Sequence, residues 1–416
     1  MAFSEEELRD ICIRIYYLDS KKYNFKKRPK ENKAYDNFYV IKTKDTKKNK
    51  ENGFQGMAVV PLDKNGKPDY SQITIAFAGT GDAKKGADNY VPGIGKDRFD
   101  IQEDIQGIGE GKRNKLTAKK HGQPTTVDSQ FKSALEFTKE IKKDHPDAKI
   151  SVTGHSLGGA TALLVASHYH IPAKVYSAPD PWKVMTNKER LWSVTHPELL
   201  LNYRHEGDLL SDTDSKALRI NGATGTTIWT KSTQPGHGLK THNLKTFVFN
   251  QAGKIKTIPN LNEDLNLYQG KLTAIKSLAR SMAKSGGKMT HSEKIFLDVA
   301  EALALSASLT KMATDGLDQI IKECHTAINS FDPIWQDTIK AATSFAEHCN
   351  HAEVMAALAD GGATKKTMVD DPTAEFTAKI KQARKIKEDY VTLGKNVKAA
   401  VNKVVADDQE LAQEFS

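Results

Sequence analysis

A chain of 416 residues exceeds what one hydrophobic core usually serves, so two folding units are expected. With 38% hydrophobic and 27% charged residues and a mean hydropathy of -0.55, no apolar run is long enough to cross a bilayer. A net charge of +9 favours an anionic surface, and three cysteines (Cys12, Cys324, Cys349) are too few, and odd in number, for a disulfide framework.

In chain order, Ser4 and Glu7 form a capping-box pattern ahead of Leu8, Ile11, Cys12, Ile15 and Leu18, whose spacing predicts a first helix. The first residues are acidic where a secretory signal needs positive charge, so any export is expected to use another route. Short β-rich runs follow at 38–41, 57–60, 73–77, 150–153, 174–176 and 199–203. The later runs alternate with helical segments at 129–143 and 160–168, which predicts a largely parallel sheet with crossover helices. The basic stretches 42–50 and 112–115 lack interleaved aromatics, so they read as solvated loops or lipid contacts, and nucleic acid is not an expected partner.

From about Asn266 strand-like runs cease and long amphipathic segments continue to the end. Ile295, Val299 and Leu303 share one face, and Cys324 and Cys349 fall on apolar faces where buried thiols are expected. Asp332-Pro333 and Asp371-Pro372 look like N-cap and N1 pairs opening further helices, with Gly361-Gly362 between them. The expected architecture is an α/β domain over 1–265 followed by an all-α helical domain over 266–416.

The strongest chemical signal is Gly154-His155-Ser156-Leu157-Gly158-Gly159, a G-x-S-x-G between an apolar strand and an Ala-rich helix. Such a turn lifts the serine hydroxyl to the carboxyl edge of the sheet, where the helix N-terminus offers N–H groups to a developing oxyanion. Ser156 is therefore the candidate nucleophile. In α/β-hydrolases the acid and the base follow the serine in that order. Asp208, just after the run 199–203, is the favoured acid, with Asp180, Asp212 and Asp214 as rivals. His242, before Phe247-Val248-Phe249, is the favoured base, with His237 as its rival among flanking glycines, and His196 and His205 read as ordinary polar residues. Ile73 to Gly81 reads as a strand ending in a small-residue turn, so the Thr80 and Leu157 N–H groups form the candidate oxyanion hole.

Ala76-Phe77-Ala78-Gly79-Thr80, Gly154 to Gly159 and Tyr176-Ser177-Ala178-Pro179 together resemble the class 3 lipases over roughly 55–250. Ala78 departs from the arginine usual in that family. The resemblance implies an α/β-hydrolase (class 3 lipase-like) fold, hydrolysis of acyl glycerolipids through an acyl-enzyme, and no metal or organic cofactor. It also implies a lid, for which Gly81 to His121 stands in the right place. The added helical region resembles the LXG-like targeting regions of type VII secretion lipase effectors of Gram-positive bacteria. That resemblance implies small helical partner proteins on the face bearing Ile295, Val299 and Leu303, an immunity protein, and secretion without a signal peptide. With the basic surface, the expected activity is a phospholipase A-type hydrolase at a phospholipid membrane surface. Triglyceride lipase, soluble carboxylesterase and a non-catalytic binding module acting through the helical region are the alternatives.

Overall fold

A computed structural model describes residues 3–19, 28–35, 37–46, 52–79, 106–108, 110–120, 123–205, 207–208, 224–234, 241–285, 290–346 and 348–414. Helix α1 (Glu5–Ile15) starts where expected: the Ser4 hydroxyl accepts from the Glu7 N–H and the Glu7 carboxylate accepts from the Ser4 N–H in return. Eight strands form the main sheet: β1 (Lys33–Tyr35), β2 (Phe38–Asp45), β3 (Gln55–Pro61), β4 (Gln72–Phe77), β7 (Lys149–His155), β8 (Ala173–Tyr176), β9 (Leu200–His205) and β10 (Thr226–Thr230). They lie in the order just given. The pairs from β1 to β4 are antiparallel and those from β4 to β10 are parallel. Each of the six β-rich runs read from the sequence falls on one of these strands. A separate hairpin, β5 (Lys115–Lys120) and β6 (Gln123–Asp128), leads into α2 (Gln130–Asp144).

Apolar side chains cover both faces of the sheet. On one face Phe54, Ile73, Ile75 and Val152 pack with Phe137 and Ile141 of α2 and with Leu163 of α3 (Leu157–Tyr169). On the other, Val59, Ala76, Tyr176 and Tyr203 pack under Leu8, Ile11, Cys12 and Ile15 of α1. Helix α3 is buried from Leu157 to Ser167 and so needs no polar stripe. Helix α1 is also stitched to a turn far along the chain. The Glu6 N–H donates to the Gly253 carbonyl (3.0 Å), and Glu5 accepts from the Ile255 N–H (3.2 Å) while pairing with Lys174 (2.5 Å).

Helix α4 (Asn187–Thr195) begins in a capping box, and its Glu189 holds Arg113 through two guanidinium contacts of 2.5 and 2.7 Å. The helical region follows as α5 (Leu261–Ser285), α6 (His291–Phe345), α7 (His351–Asp360) and α8 (Asp371–Glu414). Among the described residues no helix is long and apolar enough to cross a membrane. The chain divides into two compact units, 1–258 with 263–304 and 411–416, and 259–262 with 305–410. Helix thus takes over from Leu261, while compactness changes at 304. The reason is that Ile275 and Leu278 of α5 bury against Val194 of α4 and against Leu297, Ala300 and Ala304 of α6.

Several sequence expectations are corrected. Val299 and Leu303, assigned to a partner-binding face, are buried in the first unit. Pro333 opens no helix but lies inside α6, and Cys349 is exposed. Asp371-Pro372 caps no helix start either, because a π-helical turn at Lys366–Asp370 runs straight into α8 and Asp371 is itself helical (φ −63, ψ −49); Gly361-Gly362 does close α7, with Gly362 at φ +80.

Candidate active site

The turn after β7 carries Ser156 at φ 56 and ψ −131, outside the ordinary wells of an L-residue. The strain is held from both sides. The Ser156 N–H donates to the Tyr176 carbonyl (3.0 Å), and the Ser156 carbonyl accepts from Gly159 and Ala160 (2.8 and 3.1 Å). The motif's glycines are dictated by close approach: a Cβ on Gly158 would run into the Phe77 carbonyl, and one on Gly154 into the Gly158 carbonyl. Leu157 opens α3, so its N–H has no acceptor within the helix, while its side chain is buried against Phe131 and Ile108. The end of β4 abuts this turn, because a Cβ on Gly79 would lie 3.2 Å from Ser156 Cβ and 2.5 Å from the His155 carbonyl. Thr80, the next residue, lies outside the described residues, as do most of the expected lid, His237, Asp212 and Asp214.

Asp208 follows β9, and His242 precedes a short 3₁₀ turn at Leu244–Thr246 capped by the Asn243 side chain. The His242 Nδ1–H donates to Asp208 Oδ1 at 2.8 Å and Oδ2 at 3.0 Å, and both side chains are buried. The Thr241 hydroxyl donates to the Gly207 carbonyl (3.0 Å) and so ties the two loops together. Asp180, the rival acid, is engaged elsewhere, accepting from the Trp182 N–H (3.0 Å) and the Thr224 hydroxyl (2.6 Å). His205 stacks on Phe247 and contacts Thr230 and Thr246, and His196 stacks on Trp192 at the end of α4.

Sequence reasoning missed how the nucleophile turn and the base loop are joined. His155 Nε2 lies 2.8 Å from the His242 carbonyl, and its Nδ1 lies 2.9 Å from the Tyr16 hydroxyl. A carbonyl only accepts, so Nε2 carries the proton and the tyrosine donates to Nδ1. Burial, reinforced by the neighbouring His242, lowers the His155 pKa to about 3, so the ring stays neutral. Its ring centroid sits 4.8 Å from that of His242. Nothing in the spacing of Tyr16, one residue beyond α1, points to this contact. Below the acid, the buried Arg204 donates to the Ala178 carbonyl. Burial lowers its pKa, opposed by the charges of Asp208 and Asp180.

A strand-borne serine at a strained turn, a helix N-terminus behind it and a buried Asp–His pair after later strands define the α/β-hydrolase class. Within that class, residues 75–187, from β4 to the start of α4, match the lipase (class 3) family model. The chain is 46% identical over 52 residues to the putative lipase ATG15 of Eremothecium gossypii, covering 12% of this chain and 10% of that protein. The chain therefore spans about a tenth of the length of that relative. Among solved structures, the native Rhizomucor miehei lipase propeptide complex is 16% identical, with 55% of this chain and 70% of that one covered and a TM-score of 0.28. A point mutant of MDLA from Penicillium cyclopium is 15% identical, with 61% and 84% covered and a TM-score of 0.31.

Proposed function

We propose that the chain is a serine lipid-ester hydrolase that releases fatty acids from glycerophospholipids. The observation that carries this reading is the buried His242–Asp208 pair, linked through the His242 carbonyl and His155 to the turn bearing Ser156. In this reading Ser156 Oγ attacks the ester carbonyl and its proton passes to His242 Nε2. Asp208 holds the imidazolium in orientation. The tetrahedral oxyanion is met by the Leu157 N–H and by that of Thr80, each donor worth roughly 3–4 kcal/mol in the transition state. Collapse returns the proton to the departing alcohol, and water repeats the sequence on the acyl-enzyme. The lipase family match over 75–187 supports ester hydrolysis, and the net charge of +9 favours anionic lipid over neutral triglyceride. In its widest form the proposal includes export and an antibacterial role countered by an immunity protein.

The test is fatty-acid release from mixed phosphatidylglycerol and phosphatidylcholine vesicles by wild type, Ser156→Ala and His242→Ala. Each variant is expected to lose about 10⁴-fold or more. Cleavage of short-chain esters alone, still dependent on Ser156, would establish a carboxylesterase instead. Silence of the wild type on both substrates would reject catalysis.

A further inference from the structure

The second compact unit is built mainly from two long segments, α6 beyond Leu305 and α8, running antiparallel. Three contacts fix their register. A Cβ on Gly394 would lie 2.6 Å from the Thr310 hydroxyl, Lys387 pairs with Asp318 at 2.6 Å, and the Phe331 and Phe376 rings meet edge to face at 5.6 Å. Each step along α6 matches a step back along α8, which sets Leu309 near the level of Leu393 and Ile320 near that of Ile386.

This unit buries little. Among its described residues the buried apolar side chains are Cys324, Trp335, Val354, Ile380 and Ala383, whereas nine large apolar side chains stand exposed. The exposed ones are ordered. At 3.6 residues per turn, Leu305, Leu309, Ile320 and Ile334 fall within about 60° on α6, and Ile386, Tyr390, Leu393 and Val404 within about 60° on α8. On each helix the residues that grip the other centre roughly 80–120° round from this stripe, in the same rotational sense. Two antiparallel helices related in this way turn both stripes to one side. The pair is thus a two-helix layer with one apolar face, and Leu305, Leu309, Ile320, Ile386, Tyr390 and Leu393 concentrate it over roughly 23 Å.

We propose that a second copy of this chain covers that face, closing an antiparallel four-helix bundle. Charge selects the occupant. Between 305 and 345, α6 has three lysines against five acidic residues; between 376 and 404, α8 has eight Lys and Arg against two acidic residues. A two-fold axis parallel to the helices lays the acidic α6 of each copy over the basic α8 of the other. It also leaves axial levels unchanged, so the concentrated patch meets itself. An axis across the helices would set α6 on α6 and α8 on α8, like charge on like.

Sedimentation velocity of the full chain at micromolar concentrations tests this, with a dimer expected at twice 46.0 kDa. The Leu309→Lys/Leu393→Lys double variant is expected to sediment as a monomer, its dissociation constant raised at least 100-fold. Helicity and ester hydrolysis should be unchanged, since neither position belongs to the candidate active site. If the double variant loses helicity, Tyr390→Glu alone serves as the second probe, with the same loss of dimer expected. A wild type that stays monomeric would overturn the proposal, and so would a dimer that survives the substitutions. A one-to-one complex of monomeric chain with a different small helical protein, abolished by the same variants, would also overturn it.

Discussion

Tyr16 shows how a residue far from the motif is drawn into the site. Its hydroxyl donates to His155, which in turn holds the His242 carbonyl. Tyr16→Phe leaves a buried ring nitrogen without that donor, at about 1–3 kcal/mol. We expect a several-fold fall in kcat with KM little changed, measured on a short-chain ester. Gly158→Ala drives a methyl into the Phe77 carbonyl and should cost several kcal/mol, read as a fall in the denaturant midpoint. His155 also sets an acid limit. Its folded pKa of about 3 lies below the ordinary 6.5, so the unfolded chain binds the extra proton first. Its contribution is intact above pH 6.5 and drains at up to roughly 1.4 kcal/mol per unit as pH falls towards 3. His155→Gln should flatten that part of the Tm–pH profile, and an unchanged slope would count against the assignment. The sequence pointed to Ser156, Asp208 and His242 as candidates because a turn motif and strand order constrain them. It was silent on Tyr16 because a contact across some 140 residues leaves no local pattern.

At the scale of elements, what was legible had a short period. Alternation and β-branched residues marked the strands, and Ser4 with Glu7 marked the start of α1. Pro333 misled because its missing N–H is normally accommodated at a helix start, whereas here α6 runs through it. Pro333→Ala should therefore raise stability by about 1–3 kcal/mol, detectable as a higher Tm. Val299 and Leu303 show a related limit: they share a stripe, but periodicity does not say what covers it, and here they are buried. Helix α5 supplies much of the neighbouring cluster, and Leu278→Ala should cost about 2–5 kcal/mol by the cavity it leaves.

At the scale of the whole molecule, the proposed function makes net charge govern the encounter with lipid. Hydrolysis of anionic vesicles is expected to fall as salt rises from about 0.05 to 0.5 M, because screening shortens the reach of the basic surface. Cleavage of a soluble neutral ester should hold steady over the same range. The two assays together separate surface attraction from chemistry.

The stitch between α1 and the turn at 253–255 has a consequence for biosynthesis. Glu5 and Ile255 are 250 positions apart, and the contacts between them form only after well over half of the chain has left the ribosome. At about 5–20 residues per second, that interval is roughly 10 to 50 s. In its later part, once Ser156 has been added, the nascent polypeptide holds the serine while His242 is still to be made or placed. On the proposed function, a lipid-ester hydrolase wired in this way is inert during its own translation, and becomes competent only when two distant stretches of its sequence meet.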